Sequence, residues 1–224
     1  MKNLFAFLLI NLFTILINIG LHAQANSAAY PPSYHGDQIS PREMAERSER
    51  TSELKGNPFL FADKDKKGII YSKGNSFEGD SLNYNIYQNQ IVTFKEEDSV
   101  FVYDSQLIDS VKIDDKRLHK MDGKFFEVIE TGPKVSLFKK YKTRIAEGQV
   151  NVTDRSKGSS RLVIMDDYYV LSQDQLMKFK PSKANLEDVF GDQSQEMKKR
   201  MKSEKLEYKK EKDLMRIFEI YNSL

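Results

Sequence analysis

The chain has 224 residues, 35 basic and 33 acidic side chains, a net charge of +2 and no cysteine. The missing thiols exclude disulfides, thiol catalysis and thiolate metal sites. Charges of both signs are finely mixed along the chain, which argues against nucleic acid as a partner because that partner calls for a clustered basic footprint.

The first element is a leader. Lys2 precedes an apolar run from Leu4 to Leu21, interrupted by Asn11, Thr14, Asn18 and Gly20, and Ala23-Gln24-Ala25 follows. This pattern predicts an export signal over residues 1–25, cleaved near Ala25. An uncleaved anchor is the competing reading, but Lys2 would stay on the cytoplasmic side in either case. No cysteine follows the run, so a lipoprotein anchor is excluded. The expected location is the periplasm or the outside of the cell, with membrane contact only through the leader before cleavage and no nucleotide cofactor pool at hand.

Residues 26–57 are polar, with Pro31-Pro32, Ser33, Gly36 and Pro41, and read as a tether. Within it Ser40-Pro41-Arg42-Glu43 forms a capping box that predicts a short helix. Met44, Ala45 and Leu54 are its only apolar side chains, too few for a buried face.

Residues 58–181 change character, with short runs rich in Ile, Val, Phe and Tyr between Gly, Asn, Asp and Ser. Strands are predicted over 59–61, 68–72, 82–87, 91–95, 100–103, 111–113, 118–121, 125–130, 135–144, 162–165, 168–171 and 176–179. Asp122-Gly123 predicts a type I′ hairpin, because both residues tolerate positive φ. The acidic clusters Glu96-Glu97-Asp98, Asp114-Asp115 and Asp166-Asp167 are placed at turns. An outer-membrane barrel is disfavoured: most runs are too short, and residues 135–144 put Lys139 on one face with Lys140, Lys142 and Arg144 on the other.

After Pro181 the period lengthens to that of a helix. Ser182 is placed to cap a helix carrying Leu186, Val189 and Phe190 and stopped by Gly191, and Asp192 to cap a second with Met197 and Met201 on one face. Leu214, Ile217, Phe218 and Tyr221 form the stripe of a last helix that must be buried. The predicted fold is α+β: a predominantly antiparallel, meander-like sheet domain followed by a C-terminal set of packed helices over 182–224.

Residues with chemical potential are few. His22 leaves with the leader, and His35 and His119 have no ligand at metal spacing, so neither metal nor cofactor is expected. Ser136 and Lys139 match S-x-x-K, but on a strand they point to opposite sides. Asp63-Lys64-Asp65-Lys66-Lys67-Gly68 resembles a calcium loop yet has Lys67 at a ligand position and Gly74 where the bidentate acid belongs. Two features remain for a partner. Tyr87 is placed on a polar face with Asn83 and Asn85, where an aromatic ring can stack on sugar or peptide groups. Lys139, Lys140, Lys142 and Arg144 form the densest basic run, able to meet anionic envelope polymers or to guard an edge strand.

Asn57-Pro58-Phe59-Leu60-Phe61, Leu82-Asn83-Tyr84-Asn85-Ile86-Tyr87, residues 134–141 and the ending from Phe218 to Leu224 resemble those of a group of exported bacterial proteins of unknown function. The resemblance implies export and a shared architecture, and no catalytic residue. The expected role is a non-enzymatic envelope or secreted protein that binds envelope proteins or anionic polymers. The alternatives are a secreted hydrolase using loop carboxylates such as Asp166 or Asp167, and an assembly factor for surface machinery.

Overall fold

The computed structural model describes residues 55–95, 99–148 and 159–224. The leader, residues 26–54 of the tether with its capping box, and Glu96-Glu97-Asp98 lie outside the described residues, whereas Lys55 at the tether's expected end pairs with the start of the strand that begins at Arg161, its amide donating to the Ser160 carbonyl at 2.9 Å. The described chain is mostly antiparallel sheet with a C-terminal helical region.

The strands are β1 Gly68–Ser72, β2 Asn75–Gly79, β3 Leu82–Asn85, β4 Gln90–Phe94, β5 Val100–Val102, β6 Ser110–Ile113, β7 Lys116–Met121, β8 Lys124–Glu130, β9 Ser136–Ala146, β10 Arg161–Ser172 and β11 Gln175–Phe179. Eight of them make one sheet in the order β11-β10-β9-β8-β7-β6-β1-β2, and β3-β4-β5 make a second. From β6 to β11 the large sheet is a plain meander, each strand lying antiparallel beside the one before it. The turn residues explain this. Asp122 and Gly123 have φ of +48° and +70°, as the β7–β8 hairpin requires, and Lys73-Gly74 and Gln173-Asp174 are left-handed in the same way.

Two departures from the predicted strands have identifiable physical causes. β2, NSFEG, carries no β-branched residue and was not expected; the Lys73-Gly74 turn folds it back onto β1, from Gly68↔Gly79 to Ser72↔Asn75. Conversely, Asp166 and Asp167 do not make a turn. They sit inside one continuous β10, opposite Tyr141 and Lys140 of β9. Lysines on the neighbouring strands neutralise Asp167 there, removing the penalty that made a turn the better expectation.

One face of the large sheet is covered by two different layers. Ile70, Val111, Ile113, Leu118 and Phe125 pack against Leu82, Tyr84, Ile86 and Ile91 of the small sheet region. Val135, Leu137, Val170 and Phe179 pack against the helical region instead. β8 serves both cores, through Phe125 and Ile129.

Residues 58–61 add a strap to the free side of β3: the Leu60 amide donates to the Tyr84 carbonyl and the Ile86 amide to the Pro58 carbonyl, each at 2.9 Å. This strap corrects the expected polar face of β3. Asn83 and Asn85 are buried, and Asn83 satisfies its amide by donating to the Phe61 carbonyl at 2.9 Å and accepting from the Phe61 amide at 3.2 Å.

The helices are α1 Lys183–Phe190, α2 Ser194–Ser203 and α3 Glu211–Ser223. The Ser182 hydroxyl accepts from the Asn185 amide at 3.2 Å, and Gly191 ends α1 with φ of +51°. Asp192 does not cap α2. A 3-10 turn over Gly191–Gln193 joins the two helices, and the Ser194 hydroxyl donates to the carbonyls of Glu187 and Gly191. The region is thus one run kinked at Gly191 plus a final helix laid on the sheet, a thinner layer than a set of packed helices.

α3 buries Leu214, Ile217, Phe218 and Ile220, and its last turn is clamped to the sheet. Asn222 donates to the Val135 carbonyl at 3.0 Å and accepts from the Val135 amide at 3.1 Å. Gly132 passes so close to Asn222 that a Cβ would have no room. No described helix is long and apolar enough to cross a membrane.

Candidate binding face

Strand alternation divides the basic run of β9 between the two sides of the sheet. Lys139 faces inward with Leu137 and Tyr141, whereas Lys140, Lys142 and Arg144 face outward with Phe138. Lys139 therefore does not belong to a surface patch, a correction to its expected role.

Lys139 lies at the seam between the two cores, in a cluster of charges and phenols. Its ammonium pairs with Glu211 at the start of α3, lies 3.8 Å from Glu127 of β8, and stands over the rings of Tyr141 and Tyr168 at 5.5 and 5.7 Å. Glu127 is buried and accepts from Lys116 at 2.6 Å and from the Tyr141 hydroxyl at 2.5 Å. The Tyr168 hydroxyl donates to Glu211 at 2.6 Å. Burial pushes the Glu211 carboxyl upward, but hydrogen bonds from Lys139 and Tyr168 and the charges of Lys139 and Lys116 outweigh it and hold that carboxyl below its ordinary range. Every charged member of this seam has an opposite partner, which marks it as structural.

The phenols carry a pH signature. Burial raises Tyr84 to about 12, and burial followed by hydrogen bonding to a carboxylate raises Tyr141 and Tyr168 further still. A phenol raised on folding contributes stability that is complete below its unfolded value and is lost as pH rises through the folded one. Stability is thus expected to fall between pH 10 and 12, with the tyrosinate absorbance of these three groups appearing only as tertiary structure is lost. Tyr84→Phe should flatten part of that decline; an unchanged alkaline slope in the variant would contradict the assignment.

The opposite face of the large sheet has another character. By the ladder register it presents Lys112, Arg117, Lys124, Lys140, Lys142, Arg144, Arg161 and Lys178, against Glu78 and Asp167. None of these residues belongs to either core. Between the cations lie aromatic rings: Phe126 and Tyr169 meet edge to face at 5.2 Å across β9, and the Lys140 ammonium stands 5.4 Å from the Phe126 centroid. His119 is exposed on the same face, opposite Phe126. Asp167 accepts from Lys142 at 2.7 Å and pairs with Lys178 at 3.1 Å. The hydrogen bond from Lys142 is the largest influence on the Asp167 carboxyl, and with the hydrogen bond from Lys178 and the charges of both lysines it outweighs burial and holds that carboxyl below the ordinary range.

Chemically this surface offers many ammonium and guanidinium donors around planar apolar patches. It can hold a chain of anionic groups, and it presents no converging acid and base. Asp166 and Asp167 point to opposite faces of β10, which removes the loop geometry expected for a carboxylate pair. Lys66 pairs with Asp63 and Asp114, so a lysine occupies the calcium-like loop. Among the described residues no group of three or more His, Asp or Glu is arranged to hold a metal.

Tyr87 stands apart, 53% exposed in the turn after β3. The sequence located Lys140, Lys142 and Arg144 but not their companions Lys112, Arg117, Lys124, Arg161 and Lys178, which come from five other strands. Each of those strands contributes a single base, so only the pairing register brings them together and no signal along the chain announces it. No family model, curated protein or solved structure matches this chain.

Proposed function

We propose that this is an exported, non-enzymatic envelope or secreted protein that holds an anionic polymer against the open face of its large sheet. The observation that carries the reading is the charge segregation: eight basic and two acidic strand residues share that face, although the whole chain is nearly neutral. A surface field of one sign draws in a polyanion and releases its counterions, a salt-sensitive source of affinity that needs no deep pocket. Tyr169, part-exposed among the cations, adds a ring on which a sugar can stack, whereas Phe126 is buried beneath Lys140. Export follows from the leader, and the helical region acts as a brace behind the sheet.

Binding to immobilised polygalacturonate, a carboxylated polysaccharide, tests this directly. Affinity should fall steeply with added salt. The variant Lys112→Gln/Arg117→Gln/Lys140→Gln/Arg144→Gln should bind about 100-fold more weakly at about 50 mM salt, with a shallower salt slope, while its urea midpoint stays near that of the parent. Absence of binding by the parent, or binding indifferent to both salt and these substitutions, would refute the reading.

A further inference from the structure

Asp167 is the acidic residue among the cations of β9, β10 and β11, with the face's other acid, Glu78, far off on edge strand β2, while Asp166 beside it points to the other side. Lys142 stands opposite Met165 and Lys178 opposite Tyr169, so both reach Asp167 diagonally from the two neighbouring strands. Their ammoniums lie 2.7 and 3.1 Å from one carboxylate oxygen. The lysine side chains are 43% and 60% exposed and the carboxylate 22%. Pairs this open to water contribute little to stability. Their larger consequence falls on whatever anion approaches the face, because two of its cations are already engaged.

We propose that Asp167 is a built-in counter-anion, occupying the place between Lys142 and Lys178 that a ligand carboxylate would take, and that it sets the charge density a polymer must have to bind. This rests on the open face being the binding surface. A densely charged chain supplies enough carboxylates to share these lysines with Asp167 and to engage the remaining cations. A sparsely charged chain cannot, and it also meets the repulsion of Asp167 itself. The arrangement selects for dense polyanions at the cost of absolute affinity, a use of repulsion to sharpen specificity.

The test compares fully charged polygalacturonate with a half methyl-esterified preparation on the intact protein. Asp167→Asn should bind both more tightly, by about threefold for the charged polymer and about tenfold for the esterified one, with the salt slope steeper by about one. Discrimination between the two polymers narrows accordingly. Asp166→Asn, with the same change in net charge on the opposite face, should stay within about twofold of the parent. Equal gains in the two variants, or an unchanged ratio between polymers in Asp167→Asn, would overturn the counter-anion role while leaving the binding face intact. Failure of the parent to bind either polymer would overturn both.

Discussion

Replacing Lys139 by methionine is expected to lower unfolding free energy by about 3 kcal/mol at neutral pH, the low end of the cost of breaking a buried ion pair. The cost does not come from the pair's own strength, since ion pairs taken out of water roughly break even against apolar packing. It comes from what is left behind. Glu127 and Glu211 face the Lys139 ammonium from β8 and from the start of α3, and without it they share the seam as like charges. Glu127 retains Lys116 and the Tyr141 hydroxyl, and Glu211 is 38% exposed, so the loss stays below the upper end. Adding Glu211→Gln to the variant should restore about 1 kcal/mol or more.

The same substitution makes a statement about pH. Glu211 has a folded pKa below its ordinary value, so its contribution is present above the unfolded value and is lost as pH falls through the folded one. The stability gap between parent and Lys139→Met should therefore be widest near neutrality and shrink in acid, where the Glu211 carboxylate protonates and needs no counter-charge. Urea titrations at neutral and acid pH decide the matter. A gap of equal size in both would mean that Lys139 acts through its aliphatic stem rather than its charge.

Much of the fold was legible because strand alternation and turn chemistry are local. Asp122-Gly123 demands positive φ at both positions and took it, and Ser182 with Gly191 bounded α1 from both ends. What was not legible depended on neighbours distant in sequence. Asn83 and Asn85 are polar on what looked like a solvent face, yet both are buried with their amides satisfied, Asn83 by the strap at 58–61 and Asn85 by Gln88 in the following turn. Asp166-Asp167 looked like a turn because nothing in the flanking residues shows that Lys142 and Lys178 stand on both sides of β10. Edge strand β2 had no propensity to announce it and exists because its hairpin partner does.

The basic face illustrates the same limit with consequences for function. Read along the chain, acids and bases alternate so finely that a single-sign surface looks excluded. A strand has period two, however, so a base on every second residue with acids or apolar residues between is unmixed by folding. Lys140, Lys142 and Arg144 fall to one side while Lys139 falls to the other. The strands β6, β7, β8, β10 and β11 each add a single base to the same side, and pairing in register gathers them into one face. Net charge alone thus understates the field such a sheet can present to a polymer.

Phe218→Ala is expected to cost about 4 kcal/mol, within the range for emptying a buried aromatic site. Phe218 is 0% exposed, and its ring meets Phe179 of β11 at 5.8 Å and 81°, so it ties α3 to an edge strand of the large sheet. The question is whether the loss stays in the helical layer. Both cores hang on one continuous sheet, and β8 contributes Phe125 to one and Ile129 to the other, so loosening the second core exposes strands that the first also needs. Unfolding should then remain a single transition, with far-ultraviolet signal from the whole chain and near-ultraviolet signal from Tyr84 and its neighbours shifting together to lower urea. A loss below about 1.5 kcal/mol would show that the site collapses onto its neighbours. Separated transitions would show that the small sheet and its core stand without the helices.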